Sequence, residues 1–186
     1  MGAREQMISI LRDRDTARVR FTYRGGGRSD VINADSFQRV ANDLASGHLN
    51  VVEGRHSTNM ITYSAWAEGA NSGNTFYLGN NLRWSRDFNA LVVHESVHAF
   101  FDVTRTSIPW LDNEAAAYIA QGYYLRNSGY PQSRLEEDEP YEIGYRVARE
   151  LAAGRSGSDW MFILRDKLNT DSRYSSYIHG SFSGDG

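Results

Sequence analysis

The amino-acid sequence predicts an α+β protein made as one domain, strand-rich over residues 1–84, helical over 85–170 and frayed at 180–186. Three observations lead there. Short stretches before residue 85 alternate apolar and polar residues and are broken by Gly and Asn, which is how strands and their turns read. After Ser85 the apolar residues recur at helical spacing. The chain has 186 residues, 40% of them apolar, which suits one domain, or one domain with a small appendage, around a real core.

Taken in order, residues 17–23 (ARVRFTY) alternate like a strand, and Gly25-Gly26-Gly27 ends the pattern. Residues 35–45 read as a helix, with Phe37, Val40 and Leu44 on one face and Gly47 as its stop. Residues 60–66 (MITYSAW) look like a strand, followed by a Gly/Asn/Ser loop over 69–74, and residues 75–78 (TFYL) form a short strand closed by Gly79-Asn80-Asn81. A helix then spans 87–103, with Ser85 or Asp87 as its cap. Ile108-Pro109-Trp110 interrupts it, and a second helix runs from Asp112 or Asn113 to Arg126. Pro140 fits the first position of a third helix, over 141–153. A fourth covers 159–168.

Composition excludes several chemistries. The formal charge is −3, so no global field draws in nucleic acid or an anionic membrane. The absence of cysteine removes disulfides, thiolate metal sites and cysteine nucleophiles together. Any metal must sit on His, carboxylate, carbonyl or water. No run has the length and apolarity of a membrane span, and the first twenty residues carry Arg4, Glu5, Arg12, Asp13, Arg14 and Asp15 rather than a secretory signal. The compartment stays open, cytoplasmic or secreted alike.

One motif carries chemistry. His94-Glu95-Ser96-Val97-His98 is HExxH inside a helical stretch. Four residues of helix advance about 400°, so both imidazoles leave the same face one turn apart and can hold one Zn²⁺ per chain. Glu95 lies about 100° round the helix, placed to take a proton from water without binding the metal. A catalytic zinc usually has a third protein ligand. Phe101 and Thr104 occupy the positions where an HExxHxxGxxH site needs Gly and His. Glu114 opens the next helix after the turn at Pro109, and an antiparallel helix pair would return it to the metal. Asp112 and Asp102 are its rivals.

From His94 to Tyr118, about twenty-five residues, the sequence resembles the gluzincin metallopeptidases, thermolysin-like enzymes in particular. The resemblance rests on His94-Glu95-x-x-His98-Ala99-x-x-Asp102 and on Asn113-Glu114-Ala115, where the family reads HExxHAxxD and NEA. It implies a zincin-like fold with a small mixed sheet ahead of the active-site helix. It implies His94, His98 and Glu114 as zinc ligands, Glu95 as general base and Asp102 as an acid orienting a ligand histidine. The chain departs in two ways. The interval between the two helices is shorter, and Tyr118 replaces the acid expected four residues after the third ligand. The Tyr118 hydroxyl is expected to support a ligand or face substrate.

Such enzymes often add a His or Tyr that donates to the oxyanion. The candidates are Tyr118 and Tyr145, then Tyr141, His179, His56 and His48. The strand at 75–78 is a candidate for pairing with extended substrate. The leading expectation is a metallopeptidase acting on a peptide or protein substrate, without nucleic acid or membrane. A zinc amidase acting on a non-peptide bond is the alternative, or a non-catalytic zinc-bearing partner-binding or toxin domain; retention of Glu95 speaks against the last.

Overall fold

The computed structural model describes residues 2–25, 27–56, 58–67, 72–184 and 186. Position 26 and much of the loop expected at 69–74 lie outside them. The class is α+β. The N-terminal half holds more helix than its sequence suggests. Helices α1 (Ala3–Leu11) and α2 (Arg14–Ala17) precede the first strand. Ala3, Met7, Ile10 and Leu11 are buried along one face of α1, a spacing of four, three and one that is helical. The strand expected from residue 17 begins later, because Asp13 caps α2 by accepting the Thr16 N–H.

Strands β1 (Phe21–Gly25) and β2 (Arg28–Ile32) form an antiparallel hairpin. Helix α3 (Ala34–Ser46) follows, opened by the reciprocal Asn33–Ser36 capping bonds and closed by Gly47 at φ 82°. Three strands then make a small mixed sheet. They are β3 (Asn50–His56), β4 (Ile61–Ser64) and β5 (Thr75–Gly79), in the order β3-β5-β4, with β3 parallel and β4 antiparallel to β5. All five residues of β5 are buried, as a central strand requires.

Two long helices carry the rest. Helix α4 (Arg86–Val103) and helix α5 (Trp110–Asn127) pack together, joined through the short strand β6 (Ser107–Pro109). Helix α5 starts two residues before the predicted Asp112, since Pro109 ends β6 and sits directly at the helix N-cap. Helix α6 (Pro140–Ala152) crosses α5 through two glycines. A Cβ on Gly122 would stand 2.5 Å from the Gly144 backbone, and one on Gly144 would stand 2.4 Å from the Tyr118 carbonyl oxygen. That close approach fixes where Tyr118 sits. Helix α7 (Ser158–Thr170) packs on α5 and α6.

Part of the tail expected to fray is a strand. Ser181–Ser183 form strand β7, antiparallel to β6, and Phe182 is 1% exposed. The apolar ring anchors a segment whose Gly and Ser content alone suggests disorder. No helix among the described residues is long and apolar enough to cross a membrane.

Candidate metal centre

Helix α4 presents His94 and His98 one turn apart toward α5, where Glu114 faces them from the second turn. All three side chains are buried, and one ligand atom from each lies within 4.8 Å of the other two. His94 Nε2 is 3.5 Å from Glu114 Oε2, and His98 Nε2 is 3.9 Å from Glu114 Oε1. Two ligands at about 2.1 Å in tetrahedral geometry stand about 3.4 Å apart. The spacing therefore fits one ion with little movement.

The outer nitrogens explain why these atoms face inward. His94 Nδ1 is 3.1 Å from Gln121 Oε1, and His98 Nδ1 is 2.8 Å from Asn113 Oδ1. An imidazole that donates from Nδ1 to a carbonyl oxygen offers a lone pair at Nε2 when neutral. Two such lone pairs and a carboxylate converge on one point. Three acceptors in a buried space repel one another unless a cation sits between them. The donor set is also the nitrogen and oxygen set that Zn²⁺ takes.

The three residues expected as ligands come together, and the histidines meet side chains other than the expected Asp102 and Tyr118. Asp102, fully buried, accepts from the Tyr63 hydroxyl, and the Nδ1 atoms of the two histidines meet Gln121 and Asn113, where the resemblance implies Asp102 orienting one of them. Asp112 is no ligand either. It is 1% exposed and bound by the Tyr23 hydroxyl at 2.6 Å and by the Arg165 guanidinium. Three consecutive residues of α5 thus face three ways: Asp112 to the scaffold, Asn113 to a histidine, Glu114 to the metal position. Gln121 is seven residues after Glu114 and so on the same face two turns on, a spacing visible in the sequence.

Glu95 lies beside the ligands, where its Oε2 accepts the Tyr63 N–H of β4 at 2.8 Å. Burial pushes its carboxyl up to about 7, helped by Glu114 and opposed by His98 and the Tyr63 N–H. A base whose pKa lies near neutrality suits proton transfer at neutral pH. Glu114 goes the other way. Burial would raise it, but the His98 and His94 imidazoles in their charged, metal-free form and the Tyr177 hydroxyl at 3.1 Å together hold it below the usual carboxylate range.

These groups open onto a cleft of about 490 Å³. Strand β4 forms one wall through Thr62, Tyr63 and Ser64. Strand β5, the candidate for pairing with substrate, is central and has both neighbours in place; the edge strand at the cleft is β4. Tyr118 lines the cleft as expected, its ring 4.4 Å from that of His94. Its hydroxyl bonds Tyr174, not an imidazole. Burial, then Tyr174 and Glu114, raise its pKa well above the ordinary value, so it stays protonated and able to donate. Tyr174 and Tyr177, which no motif or spacing marks, line the cleft too, with Trp66, Trp110 and Phe182.

The other candidates lie elsewhere. Tyr145 packs against the core, and Tyr141 lines a separate cavity of about 260 Å³. His56 bonds the Thr62 hydroxyl at 3.1 Å, His48 faces Asp43 at 3.5 Å, and His179 is exposed.

Compared with models of known families, with curated proteins and with solved structures, the chain finds no match.

Proposed function

We propose that this protein is a zinc-dependent hydrolase, a small metallopeptidase of gluzincin type on a zincin-like fold. The observation that carries the reading is the convergence of His94 Nε2, His98 Nε2 and the Glu114 carboxylate on one buried point, with Glu95 beside it and an open cleft in front. His94, His98 and Glu114 would hold the ion. Bound there, Zn²⁺ supplies Lewis acidity that polarises a carbonyl and acidifies water.

The chain's own groups do the rest. Gln121 and Asn113 fix the ring orientation of the two histidines, so the ligands need little reordering on loading. Glu95 takes a proton from the attacking water and passes it to the leaving nitrogen, the two halves of one general acid–base cycle. The Tyr63 N–H holds Glu95 on the side of the ligands that faces the cleft. Tyr177 donates to Glu114 and Tyr118 bonds Tyr174, so one hydroxyl proton of the Tyr118–Tyr174 pair is left in the cleft, a donor suited to charge that builds on a carbonyl oxygen. Edge strand β4, apart from the Tyr63 N–H that Glu95 takes, offers main chain to an extended peptide.

The test is cleavage of an unbiased peptide library by zinc-loaded protein, compared with Glu95→Gln. The variant keeps shape and loses basicity, so turnover should fall at least about 10²–10⁴-fold while zinc stays bound. A variant that cleaves at the wild-type rate per bound zinc sinks the assignment of Glu95. A wild-type protein that binds zinc and cleaves no peptide, but hydrolyses other amides, moves the reading to a zinc amidase.

A further inference from the structure

Away from the metal cleft, a groove of about 630 Å³ runs between β1 and α7. Arg20, Thr22 and Arg24 line one side and Ser158, Phe162 and Arg165 the other, with no acidic residue among those lining it. Arg20, Thr22 and Arg24 alternate along extended chain and are all exposed, so they share one face. The strand rise puts Arg20 and Arg24 about 13 Å apart.

The three cations are not equivalent. Arg165 is committed to the buried carboxylate of Asp112 and to the Tyr23 hydroxyl. Arg20 and Arg24 have no side-chain partner among the described residues. Beside them Phe162 is 72% exposed, an apolar ring facing water. Strand β1 pairs only with β2, and its other edge carries no strand among the described residues. A chain of net charge −3 thus keeps two unpaired guanidiniums, an open ring and a free strand edge together in one groove.

We propose that this groove docks an extended acidic peptide segment of a partner protein. Carboxylates four residues apart on an extended segment match the Arg20 to Arg24 spacing, and an apolar residue between them covers Phe162. Carboxylates pair with guanidinium in a two-pronged geometry that lysine cannot offer. A nucleic acid is the weaker match. Its backbone needs many phosphate contacts along a track, whereas two free cations end this one.

The experiment is fluorescence anisotropy on the full chain with a labelled peptide of alternating Glu and Val. A Lys-Val peptide and a single-stranded oligonucleotide of equal length serve as comparators. The Glu-Val peptide should bind in a salt-sensitive way, and the Lys-Val peptide should not. Arg20→Glu with Arg24→Glu should weaken binding by about tenfold or more and transfer preference to the Lys-Val peptide. Phe162→Ala should weaken it without changing charge preference. Zinc content should be the same in all variants, which keeps this proposal separate from the metal site. Equal affinity of wild type and the double variant overturns the proposal, as does absence of Glu-Val binding or tighter binding of the oligonucleotide.

Discussion

The metal cleft and the β1–α7 groove are of similar size, about 490 and 630 Å³, and are built on opposite terms. In the cleft the charged atoms are buried and mostly tied: His94 to Gln121, His98 to Asn113, Glu95 to the Tyr63 N–H, Glu114 to Tyr177. In the groove the charges of Arg20 and Arg24 stand in water, with no side-chain partner among the described residues. The contrast separates two kinds of recognition. A group that must act on a bond has to be held still, because a displacement of about 1 Å costs catalysis heavily. A group that only attracts an opposite charge can stay mobile, and solvent screening limits what it contributes. The two regions are linked at the start of α5, where Asp112 pairs with Arg165 of the groove while Asn113 and Glu114 face the cleft.

If the cleft works through held atoms, removing a holder should cost almost as much as removing a ligand. Glu95→Gln, which strikes the chemistry itself, has the largest expected effect. Next comes Asn113→Ala. It leaves every ligand in place and frees the His98 ring, and zinc affinity measured by competition with a chelator should fall about 10–100-fold. Unchanged affinity would mean that packing alone orients His98.

Tyr118→Phe is expected to act more gently. Its hydroxyl bonds Tyr174 while Gln121 holds His94, so zinc affinity should be unchanged and kcat should drop by about tenfold. A loss of zinc in Tyr118→Phe would return this tyrosine to the ligand-supporting role that the sequence suggested. No change in either quantity would make it a packing residue.

What was legible in the sequence was local. HExxH is readable because five residues of one helix fix their own geometry, and Glu114 because a short turn at Pro109 limits where the next helix can go. The helices at 87–103 and 141–153 emerged within a residue or two of their predicted ends. Distant partners were not legible. Tyr174, Tyr177 and Phe182 reach the cleft only because the C-terminal segment docks across β6, and a lone Phe between serines gives no period to read. The choice of Asn113 over Asp102 at His98 depends on how α4 and α5 face each other, which spacing within either helix does not determine. Helix α1 is different: its buried face is present in the spacing of Met7, Ile10 and Leu11, but the charged Arg4, Glu5 and Arg12 flank it and obscure the pattern.

The central claim is that His94, His98 and Glu114 hold one zinc and leave a coordination position open to the cleft. X-ray absorption at the zinc edge of stoichiometrically loaded protein, compared with Glu114→Ala, tests it most directly. The account predicts one zinc per chain with two imidazoles and lighter oxygen donors at about 2.0–2.2 Å, one of them exchangeable water, and loss of the carboxylate contribution in the variant. A wild-type spectrum with one imidazole or none, or a Glu114→Ala spectrum and affinity identical to wild type, would contradict it.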